Sequence, residues 1–464
     1  MHEKIAFSTL LWYNKKKLKL QQGENEMGIY LNPENVDFQE VLNSKIYIDK
    51  SELIQYTNSV LRTTQKYICV SRPRRFGKSM AANMLTAYYS RGCDSRGLFQ
   101  GLKIATHPDF EKYLNQYNVI HLNMRDYLTE SENMKELIQF VEDDLLDELQ
   151  QEFSDLRMPR RKTLVKVLEQ AFVQYKIPFV FIIDEWDCIF RVHKSDSASQ
   201  KEYLDFLRNL LKDKSYIALA YMTGILPIKK YGEHSAINVF YEYSMTDASP
   251  IEEFTGFTEQ EVRQLCEQYE MPFSETKKWY DGYCVDGVSI YNPKSVVEAM
   301  LRGKFSNYWT KTETYEALKV YIDLNQDGLR DKIVQMIAGE KVAVNPDKFQ
   351  NDMTTFHSAD DVLTLLVHLG YLTYYSAQKN YTLHREMPAG KGFADIVFEP
   401  NRNCNLPAMI VELKWGHSAE EAVEQIKQKD YLDCLQNYHG EVLLVGVNYD
   451  KEKHHTCKME RVKR

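Results

Sequence analysis

The sequence lacks the features that mark secreted, disulfide-bonded and membrane-spanning proteins. Its 464 residues include eight cysteines, but no two of them form a Cys-x-x-Cys pair. The pattern therefore indicates neither a disulfide framework nor a zinc site. No segment approaches the roughly 18 consecutive apolar residues that would predict a membrane-spanning helix. We expect a cytoplasmic protein that does not enter a membrane.

The chain also lacks a strong excess of positive charge. Its net charge of -8 excludes a protein that coats nucleic acid along its whole length, although a local basic groove stays compatible with it. A hydrophobic content of 44% supports folded domains, and the length suggests two or three of them. Residues 1–26 place an apolar patch before their lysines, the reverse of a secretory signal. We expect them to be an N-terminal extension that precedes Met27.

The most informative segment is an apolar run at 66–70 that leads into the loop SRPRRFGKS at 71–79. A strand, a basic loop and a following helix together form a phosphate-binding arrangement. Gly77 lets the backbone approach a phosphate, Lys78 can reach the β and γ phosphates, and Ser79 can hold Mg²⁺. The segment therefore predicts an ATP site.

This loop lacks the usual first glycine of the GxxxxGK[ST] pattern, because Arg72 stands at that position. A bare Gly-Lys-Ser triplet is a weak signal, so the neighbouring residues must carry the interpretation. The guanidinium groups of Arg72, Arg74 and Arg75 are placed where they could grip phosphate. An ordinary solvated basic turn is the alternative.

A second apolar run at 178–183 ends in two acids, Asp184 and Glu185. Continuous hydrophobicity favours a parallel strand that is covered on both faces, and open α/β sheets bind ligands at the carboxyl ends of such strands. Asp184 would hold Mg²⁺ through water, and Glu185 would orient and deprotonate the attacking water. A helix N-terminus with acidic caps is the alternative. Thr223, at the end of a later strand, is either a γ-phosphate sensor or a plain strand-terminal turn.

These alternating elements predict a doubly wound α/β nucleotide-binding domain at 27–249. From residue 250 the sequence pattern changes and predicts helices rich in Glu, Gln and Lys, which suggests a helical lid at 250–358. The remainder, 359–464, is strand-rich and predicts a smaller α/β domain.

The C-terminal part contains a second set of candidate site residues. Asp395 follows a glycine turn, and Glu412 and Lys414 end the next apolar strand. If the two strands are neighbours, Asp395 and Glu412 could chelate Mg²⁺, while Lys414 could orient the attacking water at a phosphodiester. Gln425 could contact the same centre or DNA, or it could be a surface glutamine.

Several segments, taken in order, resemble bacterial AAA-ATPase-like proteins that carry a C-terminal PD-(D/E)XK nuclease-like domain. The segments are SRPRRFGKSM, IIDEWD, FTGFTEQEV, WYDGY with IYNPKS, and GKGFADIVF with IVELKW. The resemblance implies a hydrolase that uses ATP and Mg²⁺, with a helical lid and a restriction-endonuclease-like fold that acts on DNA.

The resemblance assigns Gly77, Lys78 and Ser79 to the nucleotide, and Asp184 and Glu185 to the acidic strand. It assigns Asp395, Glu412 and Lys414 to the nuclease-like centre, with Glu386 as a further metal ligand.

One departure from these relatives concerns the start of the nuclease-like domain. The segment Gly370-Tyr371-Leu372-Thr373-Tyr374 reaches Tyr381 almost directly, whereas the relatives have a long helical stretch there. The first helix of that domain is therefore missing, or residues 360–369 replace it. Its loss would expose apolar surface on the sheet and could loosen the metal site.

Two functions from different classes fit these observations. The first is an ATPase coupled to a metal-dependent nuclease module that acts on DNA. The alternative is a nucleotide-gated switch that assembles with partners, including further copies of itself, and whose nuclease-like domain only binds DNA or protein. A purely structural scaffold would leave the Gly-Lys-Ser triplet and the paired acids unexplained.

Overall fold

The chain forms two compact units in a computed structural model. The N-terminal unit comprises Met1–Tyr283 and Ile290–Thr373, and the C-terminal unit comprises Cys284–Ser289 and Tyr374–Arg464. The structure describes residues 28–228, 237–285, 288–308, 326–346, 349, 356, 358–374, 381–389, 392–400, 406–435, 438, 440–449 and 455–463. The expected extension at 1–26 lies outside these residues.

The elements up to residue 224 alternate between helices and strands, as the sequence predicts. In chain order they are α1 (Val36–Leu42), α2 (Glu52–Val60), β1 (Tyr67–Ser71), α3 (Lys78–Tyr89), α4 (Arg96–Phe99), α5 (Phe110–Tyr113), β2 (Asn118–Asn123), α6 (Met124–Glu130), α7 (Met134–Glu152), α8 (Leu164–Tyr175), β3 (Phe179–Asp184), α9 (Cys188–Val192), α10 (Ser197–Leu211) and β4 (Ile217–Gly224).

The elements that follow residue 224 include a small second sheet among helices. They are β5 (Tyr241–Tyr243), β6 (Phe257–Thr258), α11 (Glu259–Gln268), α12 (Phe273–Tyr280), β7 (Asp281–Val285), β8 (Val288–Tyr291), α13 (Pro293–Arg302), α14 (Leu329–Ile337) and α15 (Ala359–His368). The region expected to be a helical lid therefore also contains the sheet β6-β8-β7.

The large sheet of the N-terminal unit is parallel, with the strand order β2-β3-β4-β1-β5. All residues of β1, β3 and β4 are buried, which explains their continuous apolar sequence. Phe181 and Ile183 face an apolar core that includes helices α7, α8 and α10, whereas Val180 and Ile182 face a core that includes α2 and α3. Helices cover both faces, so the predicted doubly wound fold is confirmed.

Helix α15 packs in the N-terminal unit. Val362 and Leu365 belong to the same apolar core as Ile183 and Met222. The contacts therefore divide the chain at Tyr374, whereas the boundary expected from the sequence lies at 359, with residues 360–369 as a possible substitute helix of the C-terminal domain. The physical reason for the difference is that the apolar face of α15 is buried in the first core.

The C-terminal unit is a sheet with one helix packed on it. Its elements are β9 (Tyr381–Ala389), β10 (Gly392–Pro400), β11 (Ala408–Trp415), α16 (Ala419–Gln428), β12 (Glu441–Tyr449) and β13 (His455–Lys463). The strand order is β13-β12-β11-β10-β9, in which only the β11–β12 pair is parallel. Helix α16 connects these two parallel strands, and its Val423 and Ile426 share a core with Ile410 of β11 and Leu444 of β12.

The opposite face of this sheet is apolar and partly open. Leu413 and Trp415 of β11, Tyr449 of β12 and Met459 of β13 are exposed large hydrophobic residues, and Trp415 keeps 64% of its surface exposed. The register places Trp415 beside Tyr449. Within the described part of this unit, no helix precedes β9. The expectation that a missing first helix exposes apolar surface stays a prediction, because residues 375–380, which precede β9, lie outside the described residues.

No helix in the part of the chain that the structure describes is long and apolar enough to cross a membrane. The cysteines in the same part of the chain are all free, as the sequence predicts.

Gly224 offers a test of the packing between the end of β4 and the residues that follow β3. A Cβ atom there would lie 2.7 Å from Trp186 Nε1 and 2.8 Å from Asp187 Oδ1. Because these buried side chains cannot move away easily, we expect Gly224→Ala to lower the free energy of unfolding by about 1–3 kcal/mol. Urea denaturation measures this change.

The matched control is Gly97→Ala. A Cβ atom at Gly97 meets no atom within 4 Å, and the residue lies in helix α4, where alanine is the better helix former. Equal stabilities of the two variants would contradict the close packing at Gly224.

Candidate functional site

The first candidate site lies where β1 passes into α3. Gly77 has a φ of 85° and directly precedes helix α3, and a residue with a Cβ atom adopts this left-handed conformation only at a cost. The turn directs the free N–H groups at the start of α3 toward the loop, which is the geometry that binds an anion. The residues of this loop therefore fold as the sequence predicts.

Lys78 is held inside the loop. Its Nζ donates hydrogen bonds to the carbonyl oxygens of Arg72 and Pro73, both at 3.0 Å. Burial lowers the pKa of Lys78, while the negative charges of Glu185 and Asp184 oppose this effect. The acidic strand end therefore helps to keep the ammonium group charged next to the loop.

The Asp184 carboxylate joins three elements of the site. Ser79 of α3 donates a hydrogen bond to Asp184 Oδ2 at 2.5 Å. Thr223 of β4 donates to Asp184 Oδ1, and the backbone N–H of Glu185 donates to the same oxygen at 2.9 Å. The structure thus brings Ser79, Asp184 and Thr223 together. Hydroxyl and carboxylate oxygens are the ligand types that Mg²⁺ prefers, so these residues fit that ion.

Glu185 adopts a left-handed backbone conformation with a φ of 54°. Strained backbone of this kind is often found at functional sites. The Glu185 carboxylate forms an ion pair with Arg191 of α9, and Arg191 also contacts Asp187 at 3.1 Å. Glu185 therefore lies at the edge of the loop with its side chain held in place.

A cavity of about 730 Å³ adjoins these residues. Its polar lining includes Arg74, Arg75, Lys78, Ser79 and Glu185. Its apolar lining includes Phe38, Ile46, Met84, Phe257 and Val297. This volume lies in the range of small-molecule sites, and the combination of a basic loop with an apolar wall can accommodate a triphosphate and a planar base.

Two expectations for this site differ from the structure. Arg72 does not face the cavity: it is 1% exposed and donates hydrogen bonds to the carbonyl oxygens of Ser71 and Tyr243. Arg72 therefore joins β1 to β5, and the expectation that it grips phosphate is wrong. Thr223 contacts Asp184 but does not line the cavity, so its role as a phosphate sensor stays a prediction.

Two residues of this site, Asp187 and Arg191, were not predicted from the sequence. Asp187 is fully buried, and its Oδ2 accepts hydrogen bonds from the backbone N–H groups of Ile225 and Leu226 at 3.0 and 2.8 Å. The i,i+4 spacing of Asp187 and Arg191 on a helix was the available signal.

The second candidate site lies on β10 and β11 of the C-terminal unit. These strands are neighbours, and Asp395 Oδ2 accepts a hydrogen bond from the backbone N–H of Leu413 at 2.7 Å. Asp395 is thereby brought next to Glu412, as expected. Gln425 of α16 donates to Glu412 and accepts from Lys414, while Lys414 Nζ lies 3.6 Å from Glu412 Oε1.

Glu412 has the properties of a buried cation ligand. It is 4% exposed, and its Oε2 has no hydrogen-bond partner among the described residues. Burial raises the pKa of Glu412, and the charge of Asp395 raises it further, while Lys414 opposes both effects. A buried acceptor without a partner is costly, and a divalent cation bound by Asp395 and Glu412 would remove that cost.

Fewer observations support the other residues that were expected to bind a metal ion. In the described ranges, no group of three or more His, Cys, Asp or Glu side chains is placed to hold a metal ion. Glu386 has an exposed side chain and a positive φ of 48°, and its role as a further ligand stays a prediction. Gly390, at the glycine turn, lies outside the described residues.

Comparisons with known proteins separate the same two regions. Residues 36–232 match the family described as "Predicted AAA-ATPase", and residues 368–459 match the PD-(D/E)XK nuclease superfamily. An uncharacterized protein from the vnfD 5′ region of Azotobacter chroococcum mcd 1 is 25% identical over 257 residues, which are 53% of this chain and 47% of the relative. This chain therefore spans about half the length of that curated relative.

Two solved structures resemble the chain weakly. AMPPCP-bound DnaA from Aquifex aeolicus has a TM-score of 0.26 at 8% identity and covers 71% of this chain and 87% of its own. ORC2 from Aeropyrum pernix, solved as ADPNP and ADP complexes, has a TM-score of 0.27 at 10% identity and covers 78% of this chain and 93% of its own. Similarities at this level carry no argument about function.

The family matches agree with the order of elements in each unit and with the two sets of residues described above. The chain therefore carries a domain of the predicted AAA-ATPase family at 36–232 and a C-terminal domain of the PD-(D/E)XK nuclease superfamily at 368–459.

Proposed function

We propose that the N-terminal unit binds and hydrolyses ATP with Mg²⁺. The observation that carries this proposal is the hydrogen-bonded cluster of Ser79, Asp184 and Thr223 beside a cavity lined by the Gly77–Lys78 turn. A helix N-terminus, a lysine, a hydroxyl and a strand-terminal carboxylate are the groups that P-loop ATPases use. Here they converge on one edge of a parallel sheet, which is where such sheets bind nucleotides.

Each residue then has a distinct role. Lys78 would leave the loop carbonyl oxygens and neutralise the β and γ phosphates, and Ser79 and Asp184 would hold Mg²⁺. When bound by these two residues, the ion would supply positive charge that offsets the negative charge of the phosphates. Glu185 would orient the attacking water and accept its proton.

The cavity supplies the remaining contacts. Arg74 and Arg75 are exposed and line the cavity, so either can reach a phosphate oxygen with a bidentate guanidinium. Phe38 and Met84, on the apolar wall, would bury the adenine ring.

Lys78→Ala tests the phosphate-binding loop. Because this change removes the charge that neutralises the phosphates, we expect ATP turnover to fall about 100-fold or more. A coupled assay of ADP release measures it. Lys112→Ala is the control, since Lys112 is an exposed lysine that pairs with Asp109 at 3.8 Å. Unchanged turnover in Lys78→Ala would remove the assignment of this loop.

Glu185→Gln tests the base separately from binding. The amide keeps the size of the side chain but cannot accept a proton, so we expect kcat to fall roughly 100-fold. Affinity for a fluorescent ATP analogue should stay within about twofold, because Glu185 is assigned to the reaction and not to binding. A variant that loses affinity but keeps kcat would contradict this role.

We propose that the C-terminal unit is a metal-dependent nuclease module that acts on DNA. The supporting observation is the Asp395, Glu412 and Lys414 group, with Glu412 Oε2 buried and without a partner among the described residues. Asp395 and Glu412 would hold Mg²⁺, which would supply positive charge at a phosphodiester. Lys414 would orient the attacking water. Gln425 would fix the side chains of Glu412 and Lys414 relative to each other.

Glu412→Gln tests this centre without relying on activity alone. The change removes a buried charge, so we expect Mg²⁺ or Mn²⁺ to raise the melting temperature of the wild type more than that of the variant, which keeps the site at Ser79 and Asp184. Metal-dependent cleavage of single-stranded and duplex DNA should also disappear. Glu441→Gln is the control, because its side chain is exposed and pairs with Arg461 at the far end of β12. Metal-induced shifts of equal size in Glu412→Gln and in the wild type would exclude this residue as a ligand.

A nucleotide-gated switch is the second candidate function. Two observations favour it: the described residues contain no group of three metal ligands, and one face of the C-terminal sheet is partly uncovered. In this case the C-terminal domain binds DNA or protein without cutting, and ATP changes assembly. Mass measurements with and without ATP, set against single-turnover hydrolysis, separate the two functions.

We place the protein in the cytoplasm, with ATP and DNA as its partners, and we propose that it can form homo-oligomers. The free cysteines of the described residues support the reducing compartment.

A further inference from the structure

We propose that Arg191 is a positioning residue that fixes Glu185 for ATP hydrolysis and ties its position to the segment that follows Thr223. This inference rests on the proposed role of Glu185 as the base. It concerns a residue outside the phosphate-binding loop and the acidic strand end.

Arg191 contacts the carboxylates of both Glu185 and Asp187. Its guanidinium bonds Glu185 Oε2 through Nη2 and reaches Asp187 through both Nε and Nη2, at 3.1 and 3.3 Å. A planar guanidinium that bridges two carboxylates fixes both of them in direction as well as in charge. Arg191 therefore bridges Glu185 and Asp187 and fixes the two carboxylates relative to each other.

Asp187 connects Arg191 to the residues that follow strand β4. Its Oδ2 accepts the backbone N–H groups of Ile225 and Leu226, which directly follow the end of β4. The N–H of Trp186 also donates to the carbonyl oxygen of Thr223 at 3.1 Å. Because Asp187 is fully buried, its hydrogen bonds are not exchanged readily with water. A movement of residues 225–226 would therefore shift Arg191 and, through it, Glu185.

The contact with Arg191 orients the Glu185 carboxylate at the cavity. Glu185 follows β3 in a left-handed conformation and lines the cavity. Among the described side chains, only Arg191 bonds its carboxylate, and it engages Oε2 alone. The Oε1 atom is then left to orient a water molecule. A glutamate held in one orientation loses little entropy when it reaches the reactive geometry.

A double-mutant cycle separates positioning from a general role in folding. We expect Arg191→Gln to lower kcat about 10- to 100-fold, because misplacing a catalytic group by about an ångström has an effect of this size. In a Glu185→Gln background, the same change should alter kcat by less than about twofold, since Arg191 then has no base to position. Affinity for a fluorescent ATP analogue should stay unchanged in both backgrounds.

Two further variants complete the experiment. Arg191→Lys keeps one positive charge but cannot bridge both carboxylates, so kcat should recover only in part. Arg208→Gln is the matched control, because Arg208 pairs with Asp205 at 3.2 Å on the protein surface, and its kcat should equal that of the wild type.

Three outcomes would overturn the inference. Equal losses of kcat in both backgrounds would show that Arg191 acts through the fold, and a higher kcat in Arg191→Gln would show that Arg191 restrains the base. Both leave the ATPase assignment intact, because that assignment depends on Lys78→Ala. A wild-type protein that hydrolyses no ATP would instead remove the proposed function and this inference with it.

Discussion

The hydrogen bonds to the Asp184 carboxylate are the constraint on which the first site depends. They join the end of β3 to Ser79 on α3 and to Thr223 on β4, so that three segments distant in sequence meet at one point. Strands β1 and β3 both pair with β4, and this strand order brings the loop at 71–79 next to the acids. The position of Glu185, Arg191 and Lys78 follows from this meeting point.

Much of this site could be predicted because its residues are contiguous with the elements that place them. The apolar run before Asp184 predicts a buried strand, and the edge where parallel strands end is then the only place for the acids. Arg72 could not be predicted in this way. Its partner is the carbonyl oxygen of Tyr243, 171 residues further along the chain, and no local pattern announces that contact.

In the C-terminal unit, too, the pairing of strands could be predicted from the sequence, whereas long-range side-chain contacts could not. Pairing of β10 with β11 could be expected from sequence, and it brings Asp395 next to Glu412. The role of Gln425 depends on how α16 packs on the sheet, and a polar residue on an amphipathic helix does not reveal this. The sequence left open whether the first helix of this domain is missing or residues 360–369 replace it, so the exposure of the other sheet face did not follow from the sequence alone.

Helix α15 determines where the chain can be cut without opening the core of the N-terminal unit. Its Val362 and Leu365 fill the core behind β3 and β4, although the helix lies close in sequence to the nuclease-like domain. A fragment of the N-terminal unit that ends at residue 358 would leave that core open to solvent and would be prone to aggregate. A cut near Tyr374 keeps the helix with the core it completes, so limited proteolysis that separates the two units intact should cleave there.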